Sequence, residues 1–397
     1  MRIRFKIGFV LFIIIFFIDI KPLQSQIKKI FKDKQLEHQI GFDVAPGKLF
    51  MSDNFFNGEN EKGKEINKCL SLHLKYGFQF GKDSYLGMMY PNTYQGIGFS
   101  FNSFSNYSEI GNPIAIYLYQ RSQIVKIHDK LSFDYEWNFG ASFGWNPYDE
   151  NNNYNNIVVG SKVNAYINLG FYLNWKINKN FALSPGIGFT HYSNGNTYLP
   201  NGGVNNINIR LNAIYKFNSV SNYQKVYNND YLKKSFKHSF SYDLIAYGAI
   251  KSKVLLDENY VIPGEFGVLG ININPMYSVN KYFKAGLSLD CQYDESANID
   301  DFIAGRDENY DIKFYRPPFE QQLGIGISAR AEFVMPIFSI NVGIGHNIIY
   351  KGDDLSGFYQ IIVLKTFITD KIFLHTGYQL HKFKLPNNLM IGIGYRF

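Results

Sequence analysis

The stretch Lys162–Ile177, KVNAYINLGFYLNWKI, decides the fold, because its side chains alternate between two faces over its whole length. The odd positions are all apolar, whereas the even positions, Gly170 apart, carry an amide, a hydroxyl or an amine. A period of two residues is typical of a β-strand, and this stretch is much longer than the ~5–6 residues of an average strand. It predicts a strand that crosses a membrane with one face toward lipid and the other toward a polar interior.

The same alternation recurs along the chain, with apolar residues at every second position of 70–80, 133–145 and 391–397. The 397 residues include 30 Tyr, 36 Phe and 35 Gly, and only 18% are charged, which suits strands in contact with lipid. A closed barrel leaves no backbone group of such strands unpaired in the bilayer. We therefore predict an all-β protein, a transmembrane antiparallel β-barrel of the outer-membrane type with about 14–16 strands.

The spacing of the predicted strands indicates the topology. Tight turns, such as 126–129 and 178–180, alternate with long polar loops, such as 146–159 and 295–319. Short turns on the inner side and long loops on the outer side are typical of bacterial barrels. The basic stretch 218–236 is long for an inner turn, so within a barrel of residues 26–397 it marks the place for an internal boundary.

The N-terminus resembles a secretion signal. Arg2, Arg4 and Lys6 precede an apolar run from Ile7 to Ile18. The run is shorter than the ~20 residues of a membrane-spanning helix. We predict that residues 1–25 are a cleavable signal peptide, with an uncleaved anchor helix as the alternative, and that the mature chain lies in the bacterial outer membrane.

The net charge and the cysteine content limit which ligands the protein can be expected to bind. The formal net charge of +7 is mild for this length, which excludes the strongly basic surface typical of nucleic-acid binding and suits contact with phosphate-bearing lipid. Cys69 and Cys291 are the only cysteines, and they lack metal-ligand spacing. With no clustered carboxylates either, we predict no cofactor and no metal.

Polar residues in the lipid-facing register are the informative ones, because polar residues toward a barrel lumen are expected. His191 and Ser193 continue an apolar face formed by the odd positions of 183–189, and Asn205 leads the apolar face of 207–217. The loop 194–204 joins the two strands as a hairpin. We therefore expect these three side chains to meet at the outer rim, on the lipid side of the barrel.

These residue types suit ester hydrolysis. His191, two residues from Ser193 on one strand face, would accept the proton of the Ser193 nucleophile. Asn205 would hold the other imidazole nitrogen, and the amide of Asn194 would donate to an oxyanion. The substrate would be an acyl ester presented by the membrane. The alternative interpretation is that 191–195 ends a strand and opens a hairpin, since Ser, Asn and Gly are turn residues.

Other candidate residues lack the required context. Gly140–Gly144 matches Gly-x-Ser-x-Gly around Ser142, but that motif needs a strand–turn–helix, and Ser142 lies within an alternating strand. His346 shares its predicted lipid-facing register with Ile348, so no nucleophile accompanies it. Among the other histidines, His38 is assigned to the inner rim, and His73, His375 and His381 are assigned to lumen faces.

The segment His191–Gly195, HYSNG, followed by Pro200–Asn205, PNGGVN, resembles the signature of the outer-membrane lipid A 3-O-deacylases. The resemblance covers these residues and the hairpin around them. It implies a barrel whose Ser-His-acid triad faces the outer leaflet and removes an acyl chain from lipid A. The implied roles are nucleophile for Ser193, base for His191 and third triad member for Asn205. The chain departs from the family pattern at Asn205, where the family has Glu, so a weaker orienting amide would replace the carboxylate.

A Ser-His-Asn set also resembles the outer-membrane phospholipase A family. That resemblance implies a phospholipid substrate, often with calcium and dimerisation. A third alternative is a porin-like channel without chemistry, because sixteen strands in one barrel give a lumen. The sequence leaves open which lipid and which acyl chain are involved, and which oligomeric state the protein adopts.

Overall fold

The computed structural model describes residues 36–82, 84–217, 238–255, 260–304, 313–381 and 385–397. Within these ranges the chain is built mainly of antiparallel β-strands in closed barrels, which confirms the predicted fold class. No helix among the described residues is long and apolar enough to cross a membrane. The predicted signal peptide, residues 1–25, lies outside the described residues.

The first eight strands form one closed barrel. Neighbours in the chain pair in antiparallel fashion, and β1 also pairs with β8, from His38 opposite Phe217 to Leu49 opposite Asn206. A short helix, α1 (Tyr85–Met89), lies in the connection between β2 and β3. The strands are β1 (Glu37–Leu49), β2 (Lys68–Gln79), β3 (Thr93–Ser103), β4 (Gly111–His128), β5 (Leu131–Trp145), β6 (Val163–Lys176), β7 (Phe181–Ser193) and β8 (Val204–Phe217).

The C-terminal half forms a second closed barrel of eight strands, in which β9 pairs with both β12 and β20. Its strands are β9 (Phe240–Lys251), β12 (Phe266–Ser278), β13 (Phe283–Asp294), β16 (Leu323–Val334), β17 (Phe338–Ile349), β18 (Phe358–Phe367), β19 (Ile372–His381) and β20 (Leu385–Arg396). The outer loops contain the short strands β10 (Val254–Leu255), β11 (Tyr260–Val261), β14 (Ile303–Ala304) and β15 (Lys313–Phe314), a 3-10 turn (Ile299–Phe302) and helix α2 (Phe319–Gln322).

The number of barrel strands agrees with the prediction, but the sixteen strands close as two barrels of eight and not as one barrel over 26–397. The first barrel ends at Phe217 and the second begins at Phe240, so the division coincides with the predicted boundary at 218–236. The segment 218–236 itself lies outside the described residues. The alternation determines which face a side chain takes, but it does not determine which strand the backbone pairs with. Once β8 pairs with β1, the first barrel has no free edge for β9.

Side chains fill each lumen, including buried ion pairs. In the first barrel Asp43 lies 3.3 Å from Lys75 and 2.9 Å from Arg210. In the second, Lys365 pairs with Asp243 at 2.8 Å and also with Glu332. Eight strands enclose an interior just wide enough for side chains to fill. The described strands therefore do not form the wide sixteen-stranded lumen on which the channel alternative rested.

The outward faces of the strands are apolar, as the alternation predicted. In β6 the outward Ile167 and Leu169 are 43% and 44% exposed, whereas Asn168 between them is 1% exposed. The inner turns near 178–180 and 335–337 are short, and the connections at the opposite end include the long ones, 146–162 and 295–322. Both barrels thus begin and end on the same side, which is the inner side in the outer-membrane orientation.

The two barrels contact each other through side chains on their outward faces. Trp137 of β5 packs edge-on against Phe338 of β17, with ring centroids 4.9 Å apart, and its Nε1–H donates to Sδ of Met335 at 3.3 Å. At the inner end the Tyr90 hydroxyl donates to the carbonyl oxygen of Lys281 at 3.0 Å. The second barrel therefore lies beside the first and covers part of the outward face of β5.

Candidate active site

The outer end of the β7–β8 hairpin brings the predicted site residues together. His191 lies directly opposite Asn205 in the strand pairing, and Ser193 is the last residue of β7. Between His191 and Ser193, Tyr192 is buried on the lumen side, so its two neighbours take the outward face. His191, Ser193 and Asn205 are each partly buried, at the end of the strand that meets the outer loops.

The three side chains form one hydrogen-bonded chain. His191 Nδ1 is 2.6 Å from Asn205 Oδ1, and His191 Nε2 is 2.9 Å from Ser193 Oγ. An amide oxygen can only accept, so Nδ1 carries the proton and donates it to Asn205. Nε2 of the neutral ring is then the acceptor for the Ser193 hydroxyl, which is the arrangement a serine nucleophile needs.

The loop that follows Ser193 is held by its own polar groups. The backbone N–H of Asn194 donates to Asn201 Oδ1 at 3.1 Å, and the Asn194 side-chain amide donates to the carbonyl oxygen of Tyr198 at 2.8 Å. Thr197 Oγ1 donates to the carbonyl oxygen of Asn194 at 2.9 Å. The backbone donor of Asn194 is therefore already in use, and its side-chain amide keeps one N–H beyond the bond to Tyr198.

Two glycines of this loop fit close to other parts of the site. Gly203 has a φ of +75°, and a Cβ there would lie 3.4 Å from Cε1 of the His191 ring. Gly195 has a φ of +66°, and a Cβ there would lie 3.1 Å from Cε2 of Tyr378. A side chain at either position would be strained by the backbone conformation. Gly203 thus allows the loop to lie close to the imidazole of His191, and Gly195 allows it to lie close to Tyr378 of the second barrel.

The second barrel holds the loop from the side. The backbone N–H of Ser252 donates to the carbonyl oxygen of Asn196 at 2.9 Å, and Ser252 Oγ donates to that of Thr197 at 3.0 Å. The Tyr198 hydroxyl donates to Glu265 Oε1 at 2.8 Å. This hydrogen bond to the Glu265 carboxylate raises the pKa of Tyr198, because it stabilises the protonated phenol.

These contacts of the second barrel were not predicted from the sequence. Ser252, Glu265 and Tyr378 are separated from the hairpin by tens to hundreds of residues, and none belongs to a motif. No local pattern identifies a contact between two separately closed barrels, so only the packed structure reveals it.

The other candidate residues lie away from this hydrogen-bonded chain. Ser142 is buried on the lumen side and donates to the carbonyl oxygen of Asn164, as expected for a strand serine and not for a nucleophile elbow. His346 packs edge-on against the ring of Phe358. His73 and His375 are buried in the lumens as predicted. His38, the second residue of β1, lies at the inner rim and hydrogen-bonds Tyr76, and His381 lines the second lumen.

Cys69 and Cys291 are free thiols, on β2 of the first barrel and β13 of the second. Across the described ranges, no group of three or more His, Cys, Asp or Glu side chains is arranged to hold a metal ion.

Two protein families match this chain, one over part of the first barrel and the other over the second barrel. The model described as "Lipid A 3-O-deacylase (PagL)" matches residues 120–213, which include the whole hydrogen-bonded chain. The model described as "Acyloxyacyl hydrolase, C-terminal domain" matches residues 240–397, the second barrel. The fold and the site define an outer-membrane β-barrel with a Ser-His-Asn group on its lipid-facing side. Residues 120–213 are similar to the lipid A 3-O-deacylase family, as the motif around Ser193 predicted, and the chain is a barrel protein of the bacterial outer membrane.

Solved structures resemble the chain only remotely. Neisserial surface protein A is 9% identical, with a TM-score of 0.30, and the match covers 45% of this chain and 97% of that one. The outer membrane protein Omp33 of Acinetobacter baumannii is 7% identical, with a TM-score of 0.17, over 91% of this chain and 98% of that one. Comparison with curated proteins gives no match.

Proposed function

We propose that this protein hydrolyses an acyl ester of lipid A in the outer leaflet, with Ser193 as nucleophile and His191 as general base. The observation that carries the proposal is the continuous chain from Asn205 through His191 to Ser193 on the lipid-facing side. A polar side chain that faces lipid costs free energy, so we expect one in that register only where it serves a function. The family match over 120–213 supplies lipid A as the substrate class.

In the first half of the reaction, Ser193 Oγ attacks the ester carbonyl while His191 Nε2 takes the hydroxyl proton. The tetrahedral intermediate collapses when His191 returns this proton to the alkoxide oxygen of the departing sugar. The acyl group stays on Ser193 as an ester. In the second half, His191 takes a proton from water while the water oxygen attacks the acyl-enzyme. The second tetrahedral intermediate collapses when His191 returns this proton to Ser193 Oγ, which releases the fatty acid and restores the serine.

Asn205 replaces the carboxylate of the family pattern, and its role in the proposal is orientation. Its Oδ1 accepts the Nδ1 proton, which holds the ring in the tautomer that presents Nε2 to Ser193. An amide carries no charge, so it stabilises the imidazolium less than a carboxylate would. Asn194 is proposed as an oxyanion donor through its remaining side-chain N–H, since its backbone N–H donates to Asn201.

The phospholipase A alternative rests on one specific observation, the amide at the third position of the group. It predicts the same nucleophile and base but a phospholipid ester as substrate, together with the calcium that such phospholipases often use. The chemistry of attack is identical in the two proposals. The products distinguish them: a deacylated lipid A in one case and a lysophospholipid in the other.

The test is mass spectrometry of lipid A and phospholipids from membranes that carry either the wild-type protein or Ser193→Ala. We expect loss of one acyl group from lipid A with the wild type and none with the variant. Lysophospholipid formation that chelation of calcium abolishes would favour the phospholipase. Identical lipids in both samples, with both proteins folded in the membrane, would contradict any hydrolase and restore a non-catalytic barrel.

A further inference from the structure

Two lysines lie on the outward face of the first barrel, near the outer end of the β1–β2 hairpin. Lys48 and Lys68 are directly opposite each other in the strand pairing, and both are exposed. The same register carries exposed apolar neighbours, Phe50 beyond Lys48 and Leu70 after Lys68. Two like charges in this relation destabilise a strand pair unless an anion lies between them.

The protein itself does not supply that anion. Among the residues that the structure describes, neither Lys48 nor Lys68 has an ion-pair partner. The lumen lysines differ in this respect, since Lys75 pairs with Asp43 and Glu136, and Lys365 is paired in the same way. The two exposed ammonium groups are thus available to a ligand near the outer ends of β1 and β2.

The strand pairing places this lysine pair close to the candidate active site. Lys68, Lys48, Ile207 and Phe189 form one row across β2, β1, β8 and β7. Ser193 lies four residues outward from Phe189 on the same face of β7. From Lys48 to Ser193 the path is therefore about 10 Å across two strand spacings and about 13 Å along the strand.

The lysines also lie on the open flank of the site. On the other flank, the loop after Ser193 contacts the second barrel, where Gly195 lies against Tyr378 and Leu389. Lipid therefore reaches Ser193 from the β8–β1 side, across Lys48 and its neighbour.

We infer that Lys48 and Lys68 bind a phosphate group of the lipid whose acyl ester is cleaved at Ser193. The inference rests on the proposed function, and it adds a headgroup-binding site that sets the position of the ester. Ammonium groups bind phosphate through charge-assisted hydrogen bonds. One phosphate between the two ammonium groups would also offset their mutual repulsion across the β1–β2 pair. Lysines that only extended toward the membrane surface would give no preference for a phosphorylated substrate.

The test compares Lys48→Gln/Lys68→Gln with Lys62→Gln/Lys64→Gln, a matched pair of exposed lysines in the loop between β1 and β2. Each is assayed on phosphorylated lipid A and on the same lipid with its phosphates removed, in one detergent. We expect the first double variant to raise KM for the phosphorylated substrate by about tenfold with kcat little changed. It should leave the dephosphorylated substrate unaffected, and the control should match the wild type. An equal rise in KM on both substrates, or no difference from the control, would overturn the inference.

A binding experiment separates this inference from the proposed function. Ser193→Ala protein is titrated with phosphorylated and with dephosphorylated lipid A, in the presence and absence of inorganic phosphate, with and without the Lys48→Gln/Lys68→Gln substitutions. Preference for the phosphorylated lipid that is lost with the lysines supports the site even if the wild type hydrolyses nothing. Competition by inorganic phosphate would identify free phosphate as a second ligand source. If the affinity for phosphorylated lipid A is the same with and without the lysine substitutions, the site is refuted, even if hydrolysis is established.

Discussion

The last hairpin of the first barrel, β7–β8, carries His191, Ser193 and Asn205 on its outward face, whereas the last hairpin of the second barrel, β19–β20, carries Tyr378 and Leu389 there. The two hairpins occupy the same place in two barrels of equal strand number and orientation. One presents a hydrogen-bonded polar group to lipid, and the other presents an aromatic and an aliphatic side chain.

The comparison separates what the fold needs from what the chemistry needs. Both barrels bury ion pairs in their lumens and turn apolar side chains outward, so neither feature distinguishes them. A barrel of this kind is complete without a hydrogen-bonded Ser-His-Asn group on its lipid-facing side, as the second one demonstrates. The group at His191 is therefore an addition to the architecture, and the second barrel contributes by contacting the loop beside it.

The largest expected effect comes from the imidazole that the first barrel has on its outward face. His191→Gln removes the general base and should lower the rate of ester hydrolysis by about 10³-fold or more. The matched control is His375→Gln in β19, a histidine buried in the lumen of the other barrel, which should leave the rate unchanged. An equal loss of hydrolysis rate in the two variants, measured on folded protein, would mean that His191 has no specific catalytic role.

A smaller effect is expected at the third member of the group. Asn205→Ala removes the acceptor for Nδ1 of His191 and should lower kcat by about tenfold to a hundredfold with little change in KM. Asn205→Asp restores an acceptor and adds a charge that favours the protonated imidazole. The low-pH limb of its rate profile should therefore move to higher pH than in the wild type. An Asn205→Ala enzyme with wild-type kcat would remove Asn205 from the mechanism.

The smallest effect is expected from the contacts between the second barrel and the loop. Ser252→Ala/Glu265→Gln removes the bond to the carbonyl oxygen of Thr197 and weakens the one to Tyr198, so the loop next to Ser193 is less well held. We expect kcat to fall by about fivefold, as for the loss of a net hydrogen bond. Glu320→Gln, on the same rim but paired with Lys351, is the control. Identical rates in all three proteins would show that the loop needs no support from the second barrel.

The local parts of this structure were predictable from the sequence. The alternation in 162–177 predicted β6 and the orientation of its faces, because a period of two residues translates directly into strand geometry. The same rule predicted that His191, Ser193 and Asn205 share an outward face, since a two-strand hairpin leaves few alternative registers. The distances within the group follow from that register, with His191 directly opposite Asn205.

The non-local parts were not predictable in the same way. Alternation is identical for one barrel of sixteen strands and for two of eight, because it contains no information on whether β8 pairs with β1 or continues to β9. The hydrogen bond from the Asn194 backbone N–H to Asn201 depends on the path of a loop, and strand periodicity does not describe that path. The contact of Gly195 with Tyr378 depends on how two closed barrels pack, and both residues appear ordinary in their own segments.

The position of Ser193 outside the barrel wall has a kinetic consequence. A substrate that reaches Ser193 from the leaflet arrives by diffusion in two dimensions, and its effective concentration is a mole fraction in the membrane surface rather than an amount per volume. In the proposed reaction, both products, the shortened lipid and the released acyl chain, would begin in the same layer and compete for the same outward face. We therefore expect turnover of the proposed hydrolase in a crowded leaflet to depend on how quickly neighbouring lipids exchange places beside β8 and β1, which is a property of the membrane as much as of the protein.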